Sequence, residues 1–129
     1  DFAFGNMPGL KDDALVGARY TWMFPTMTFA CSNDALWVYE ARPISEHTCV
    51  VTQSTCFHPD TIAKQNFTEV AAVYYDRMDT ALEEDLVALQ NQFAGLISPE
   101  AKQGPFSPNL EHNVAAFANW YSEKILKSS

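Results

Sequence analysis

The chain is poor in several patterns that mark common functions. Only three cysteines, Cys31, Cys49 and Cys56, occur in 129 residues, and none forms a CxxC pair. That spacing argues against a disulfide framework and against a zinc or iron–sulfur site built by this chain alone. Buried free thiols are the expectation, because unpaired Cys behaves as a small apolar residue. Basic residues are also scarce, eight Lys and Arg against sixteen Asp and Glu, for a net charge of -8. Such a surface repels phosphate backbones and anionic lipid, so neither nucleic acid nor a membrane is an expected partner. No apolar run approaches the roughly 20 residues that span a bilayer. The first twenty residues lack the basic start and apolar centre of a signal peptide, and a cytoplasmic location follows as the expectation. No internal repeat is present, which sets solenoids aside.

What is present is a globular composition, 47% hydrophobic, 13% aromatic and 19% charged, in a length that suits one domain. Residues 1–17 carry three glycines and a proline without a sustained period and read as a connector loop. From Arg19 the run RYTWMFPTMTFACS, rich in aromatic residues and Thr, predicts a strand, bent or at an edge near Pro25. Ser32-Asn33-Asp34 then supplies turn chemistry. ALWVYEARPIS alternates Leu36, Val38 and Glu40 against Trp37, Tyr39 and Ala41, and the β-branched run HTCVVTQSTCF follows it. Three strands with short connections predict an antiparallel meander over residues 18–58. His58-Pro59-Asp60 ends it and opens a helical region.

Beyond Phe67 the period changes. Phe67, Val70, Ala71, Tyr74, Met78, Leu82, Leu86, Leu89, Phe93 and Leu96 recur at three- and four-residue steps, which predicts one long amphipathic helix over 67–96, ended near Gly95. Pro99, Gly104, Pro105 and Pro108 make a loop. Leu110, Val114, Phe117, Trp120, Tyr121 and Ile125 then share a face of a C-terminal helix. The fold class is α+β, with the long helix covering the antiparallel sheet.

One residue is out of place. Asp85 lies three residues after Leu82 and four before Leu89, so a carboxylate interrupts the apolar stripe. Facing a core, an ionised carboxylate costs several kcal/mol, on the order of a desolvated charge, unless it is paired or bound to a metal. Spacing leaves three readings open: a margin position in water, pairing with a buried Arg or Tyr, or ligation. Gln92, seven residues on and on nearly the same side, is a second polar group there.

Residues 84–98, EDLVALQNQFAGLIS, resemble the segment that carries the carboxylate iron ligand in the α subunits of Rieske-type non-haem iron, ring-hydroxylating oxygenases. GPFSPNLEHNVAAFANWY resembles the start of that family's terminal helix, and YTWMFPTMTF and ARPIS resemble two of its strands. The resemblance implies a helix-grip fold of the START/SRPBCC type, in which an antiparallel sheet wraps a long helix, with residues 18–129 as the C-terminal part of such a catalytic domain. It implies that Asp85 ligates a mononuclear Fe(II) and that Gln92 supports it. Trp22, Phe24 and Phe29 would line the substrate pocket; packing as plain core is the other reading of these rings.

A facial triad needs two histidines beside the carboxylate. The family's pair lies upstream, about five residues apart, and His47, His58 and His112 do not have that spacing. The Rieske signature is absent too. The resemblance therefore implies a longer subunit whose N-terminal half brings both histidines and a 2Fe-2S cluster, which forms a homo-oligomer, a trimer in the family, and takes electrons from a reductase or ferredoxin. On that reading the chain is inactive alone as an enzyme, and in the full subunit takes part in dioxygen-dependent hydroxylation of an organic, aromatic substrate. The competing expectations are a stand-alone helix-grip protein that binds hydrophobic ligands without catalysis and, more distantly, an assembly subunit.

Overall fold

The computed structural model describes residues 3–127. Its elements run in the order β1 (Ala18–Met23), β2 (Met27–Ser32), β3 (Leu36–Pro43), β4 (Cys49–Cys56), α1 (Pro59–Ile62), α2 (Phe67–Leu96) and α3 (His112–Lys127), after a short 3-10 turn at Asp12–Leu15. The four strands form one antiparallel sheet in sequence order. This is the α+β meander with helices that the residue patterns predict.

The predicted bent strand is two strands. Pro25 has no amide hydrogen to give to a ladder, and the chain turns at Phe24-Pro25-Thr26 so that β2 folds back on β1, pairing Met23 with Met27 and Trp22 with Thr28. Apolar and Thr residues on both sides of Pro25 made the two arms read as one run.

Pairing sets the faces, because directly opposed residues project to the same side of a sheet. Tyr20, Ala30, Trp37 and Thr55 form one row, and Trp22, Thr28, Tyr39 and Gln53 form the next row on that face. Arg19, Cys31, Leu36 and Cys56 form a row on the other face. All three cysteines are free, and all three are exposed rather than buried. For Cys31 and Cys56 the register is the reason, since it turns them away from the face that packs on the helix; for Cys49 it is the position at the start of β4.

The chain divides into two compact units, Asp1–Ala81 and Leu82–Ser129. In the first, the core is Phe4, Ala35, Val70, Ala71 and Tyr74, with Trp37, Phe57 and Phe67 packed against it. Phe4 stands edge-on to Phe57 at 5.3 Å and stacks on Tyr74 at 5.3 Å and Phe67 at 5.7 Å. Such ring pairs add about 0.5–1.5 kcal/mol each beyond area burial. Residue 4 belongs to the stretch predicted as a connector, yet its side chain is a centre of the core. Pro59 at the first turn suits α1, and the His58 Nδ1 accepts the Asp60 amide at 3.2 Å as its cap.

In the second unit, α2 continues without a break to Leu96, and the residues that follow form the predicted Pro-rich loop. Glu111 accepts the Ser107 amide at 2.6 Å just before α3. On α3, Phe117 stacks with Trp120 at 6.1 Å and with Tyr121 at 6.0 Å, and Lys124 lies over the Trp120 ring. No residue of α3 is buried among those described.

Candidate functional site

Asp85 sits on α2 and is exposed, as is Gln92. At about 100° per residue, seven residues bring Gln92 back to within about 20° of Asp85, so the two lie on one side of the helix. The apolar residues beside them are open as well, Leu86 at 40% and Leu89 at 53% exposure. Trp22 and Phe24 are half-buried and meet edge to face at 4.9 Å. Phe29, also half-buried, is paired with Thr21 and projects to the opposite sheet face from Trp22. The fold thus brings Trp22 and Phe24 together, leaves Asp85 and Gln92 about two turns apart on one side of α2, and separates Phe29 from Trp22.

Sequence reading passed over one polar cluster. The Tyr74 hydroxyl donates a short hydrogen bond to Asp34 Oδ2 and accepts the Phe4 amide at 2.9 Å. Ser32 Oγ donates to Asp34 Oδ1 at 2.6 Å and accepts the Ala35 amide at 3.1 Å. Both Asp34 and Tyr74 are buried, and burial together with the Asp34 bond pushes the Tyr74 hydroxyl up to about 12. Tyr74 is therefore a neutral donor at neutral pH. A half-open pocket of about 410 Å³ borders this cluster, lined by Tyr20, Asp34, Trp37, Tyr74 and Arg77. Asp34 read as turn chemistry and Tyr74 as one more stripe residue; no local pattern couples positions forty apart.

The chain matches the family model described as ring hydroxylating alpha subunit (catalytic domain) over residues 3–127. It belongs to that family. Two glycine betaine monooxygenase oxygenase subunits, from Pseudomonas aeruginosa strains UCBPP-PA14 and PAO1, are each 29% identical to it over 98 residues, covering 76% of this chain. The chain spans 22% of the length of those relatives. No solved structure matches it with significance. The ring-hydroxylating α-subunit family belongs to the Rieske-type oxygenases, an oxidoreductase class that carries non-haem iron and a 2Fe-2S cluster. The sheet and helices described above agree with an α+β catalytic domain of that family.

The side chains of this ring-hydroxylating α-subunit domain fit the iron in one respect. Asp85 is a hard oxygen donor on a regular helix, which suits one position of a facial triad. Among the described residues no group of three or more His, Cys, Asp or Glu could hold a metal ion. His58 caps α1, His47 lies 3.3 Å from Glu46 in an exposed turn, and His112 opens α3. No helix among the described residues is long and apolar enough to cross a membrane.

Proposed function

We propose that this chain is the part of a Rieske-type oxygenase catalytic domain that supplies the carboxylate ligand, Asp85, to a mononuclear Fe(II). The observation that carries the reading is the unbroken helix Phe67–Leu96, which holds Asp85 and Gln92 on one side inside the segment that resembles the family's ligand motif. Two imidazoles from residues of the subunit outside this sequence complete the triad, and the 2Fe-2S cluster belongs with them. Bound iron supplies the centre at which dioxygen is reduced during hydroxylation of the substrate. Gln92, about two turns further along the same side, is the candidate outer contact to the ligand or to the substrate. Trp22 and Phe24, which meet edge to face on the sheet, offer an aromatic surface suited to an organic substrate; Phe29, from the other sheet face, serves packing or a separate surface.

For the substrate, an aromatic compound is the first reading, because it fits the family's name. A small quaternary amine is the second, favoured by two relatives named for glycine betaine and by the Trp22–Phe24 pair, since aromatic faces attract such cations. The subunit works as a homo-oligomer with a reductase or ferredoxin in the cytoplasm, and the 129 residues alone are inactive.

The test uses the complete subunit with a reductase and dioxygen. Wild type should hydroxylate or demethylate an organic substrate and retain iron, and Asp85→Ala should do neither while keeping its helical circular dichroism. Full iron in Asp85→Ala would sink the assignment. Offering glycine betaine and a simple aromatic acid in parallel separates the substrate readings.

A further inference from the structure

The sheet face that carries Tyr20, Ala30 and Trp37 in one row sets two aromatic residues on either side of an alanine. Neighbouring strands lie about 4.8 Å apart, so Tyr20 on β1 and Trp37 on β3 are anchored about 10 Å from each other with a single methyl group between them. Both line the half-open pocket of about 410 Å³, together with Asp34, Tyr74 and Arg77. All of these residues belong to the first compact unit. A cation in the gap lies within about 6 Å of both rings, the distance at which aromatic faces attract it.

Asp34 adds a charge. It is 9% exposed, and although the Ser32 and Tyr74 hydroxyls donate to its two oxygens, no described Lys, Arg or His forms an ion pair with it. A buried carboxylate without a cation is costly, and a positive ligand group beside it offsets that cost. Because both oxygens already accept hydroxyl hydrogens, a methylated ammonium, which has no N–H to place, suits the position better than a primary amine. Arg77 is exposed, and it too makes no ion pair among the described residues. Its guanidinium repels a simple cation but pairs with a carboxylate. A simple anion meets the opposite difficulty, in Asp34 and in a chain of net charge -8.

We propose that this pocket binds a small zwitterion, with its methylated ammonium between Tyr20 and Trp37 near Asp34 and its carboxylate on Arg77. The site requires neither Asp85 nor iron, so it stands apart from the ligand assignment.

The experiment is calorimetric titration of the complete subunit, freed of iron, with three molecules of similar size. Glycine betaine carries both charges, choline only the positive one and tert-butylacetate only the negative one. Betaine should bind at least about fivefold more tightly than either of the others, the scale of one exposed ion pair. Two variants locate the site, and both replace exposed side chains, so their melting temperatures should match wild type. Tyr20→Leu should weaken betaine and choline about three- to fivefold by removing one ring, and leave tert-butylacetate unchanged. Arg77→Gln should weaken betaine and tert-butylacetate about fivefold, and leave choline no weaker. Betaine bound no more tightly than tert-butylacetate overturns the proposal. So does a betaine affinity that both substitutions leave untouched, which would place betaine elsewhere in the subunit without bearing on Asp85.

Discussion

The two ends of α2 have the same amphipathic pattern in different surroundings. At the start, Val70, Ala71 and Tyr74 are buried against Phe4 and Ala35. Toward the end, Leu86, Leu89, Phe93 and Leu96 repeat the same spacing and are exposed, Leu96 at 67%. Periodicity states which side of a helix is apolar, and it does not state what lies against that side. The buried end is where the helix is held, and the open end is where the proposed chemistry lies.

The largest expected effect breaks the comparison at its functional end. In the complete subunit, Asp85→Ala should lower iron content to near zero, whereas Glu83→Ala and Glu84→Ala, whose side chains leave the stripe, should keep most of theirs. Iron per subunit measured by metal analysis decides this, and equal retention in all three variants would remove the distinction.

Next comes the core itself. Phe4→Ala empties the centre of the aromatic cluster and should cost about 3–5 kcal/mol in denaturant unfolding of the 129-residue chain. Leu89→Ala in the same chain should cost under about 1 kcal/mol, since an already exposed side chain loses little. Repeating Leu89→Ala in the complete subunit sharpens the contrast: a cost rising toward about 2 kcal/mol would show that other parts of the polypeptide cover the stripe.

Loss of one hydroxyl is smaller. Tyr74→Phe leaves the Asp34 oxygen and the Phe4 amide short of a partner, and should cost about 1–3 kcal/mol. It should also change the pH dependence. The Tyr74 hydroxyl, raised from 10.0 to about 12 in the folded state, favours folding through its neutral form. Its contribution is complete below pH 10 and is lost as pH rises from 10 to 12, because the unfolded chain releases that proton first. Unfolding free energy followed across that window should fall more steeply for wild type than for Tyr74→Phe. Parallel curves would mean that the hydroxyl is not buried as described.

The smallest effect expected is at Gln92. Gln92→Leu in the complete subunit should leave stability within about 0.5 kcal/mol, as for other exposed positions, while weakening iron retention by about tenfold through loss of an outer contact. Unchanged iron binding would confine the site on α2 to Asp85.

Much of the secondary structure was legible because it depends on spacing within short windows. The 3.6-residue period of the stripe placed α2 at 67–96, the alternation of Trp37, Tyr39 and Ala41 placed β3, and Ser32-Asn33-Asp34 marked its turn. Pro25 was read as a bend because a proline inside a β-rich run signals an interruption without saying which way the chain leaves. For the three cysteines, burial was inferred from residue type, but burial of a strand residue is decided by which face its register selects.

The sequence by itself determined the long helix, the antiparallel meander, the acidic surface and the presence of one carboxylate and one amide on the same side of α2. These rest on local geometry, where each residue's direction follows from its position in the period. Only the tertiary structure decided that Phe4 belongs to the core, that Trp22 and Phe29 part to opposite faces, and that Asp34 meets Tyr74 across forty residues. Those facts depend on strand register and on how a helix lands on a sheet, which are settled by the summed packing of distant side chains and leave no mark in any single stretch of chain.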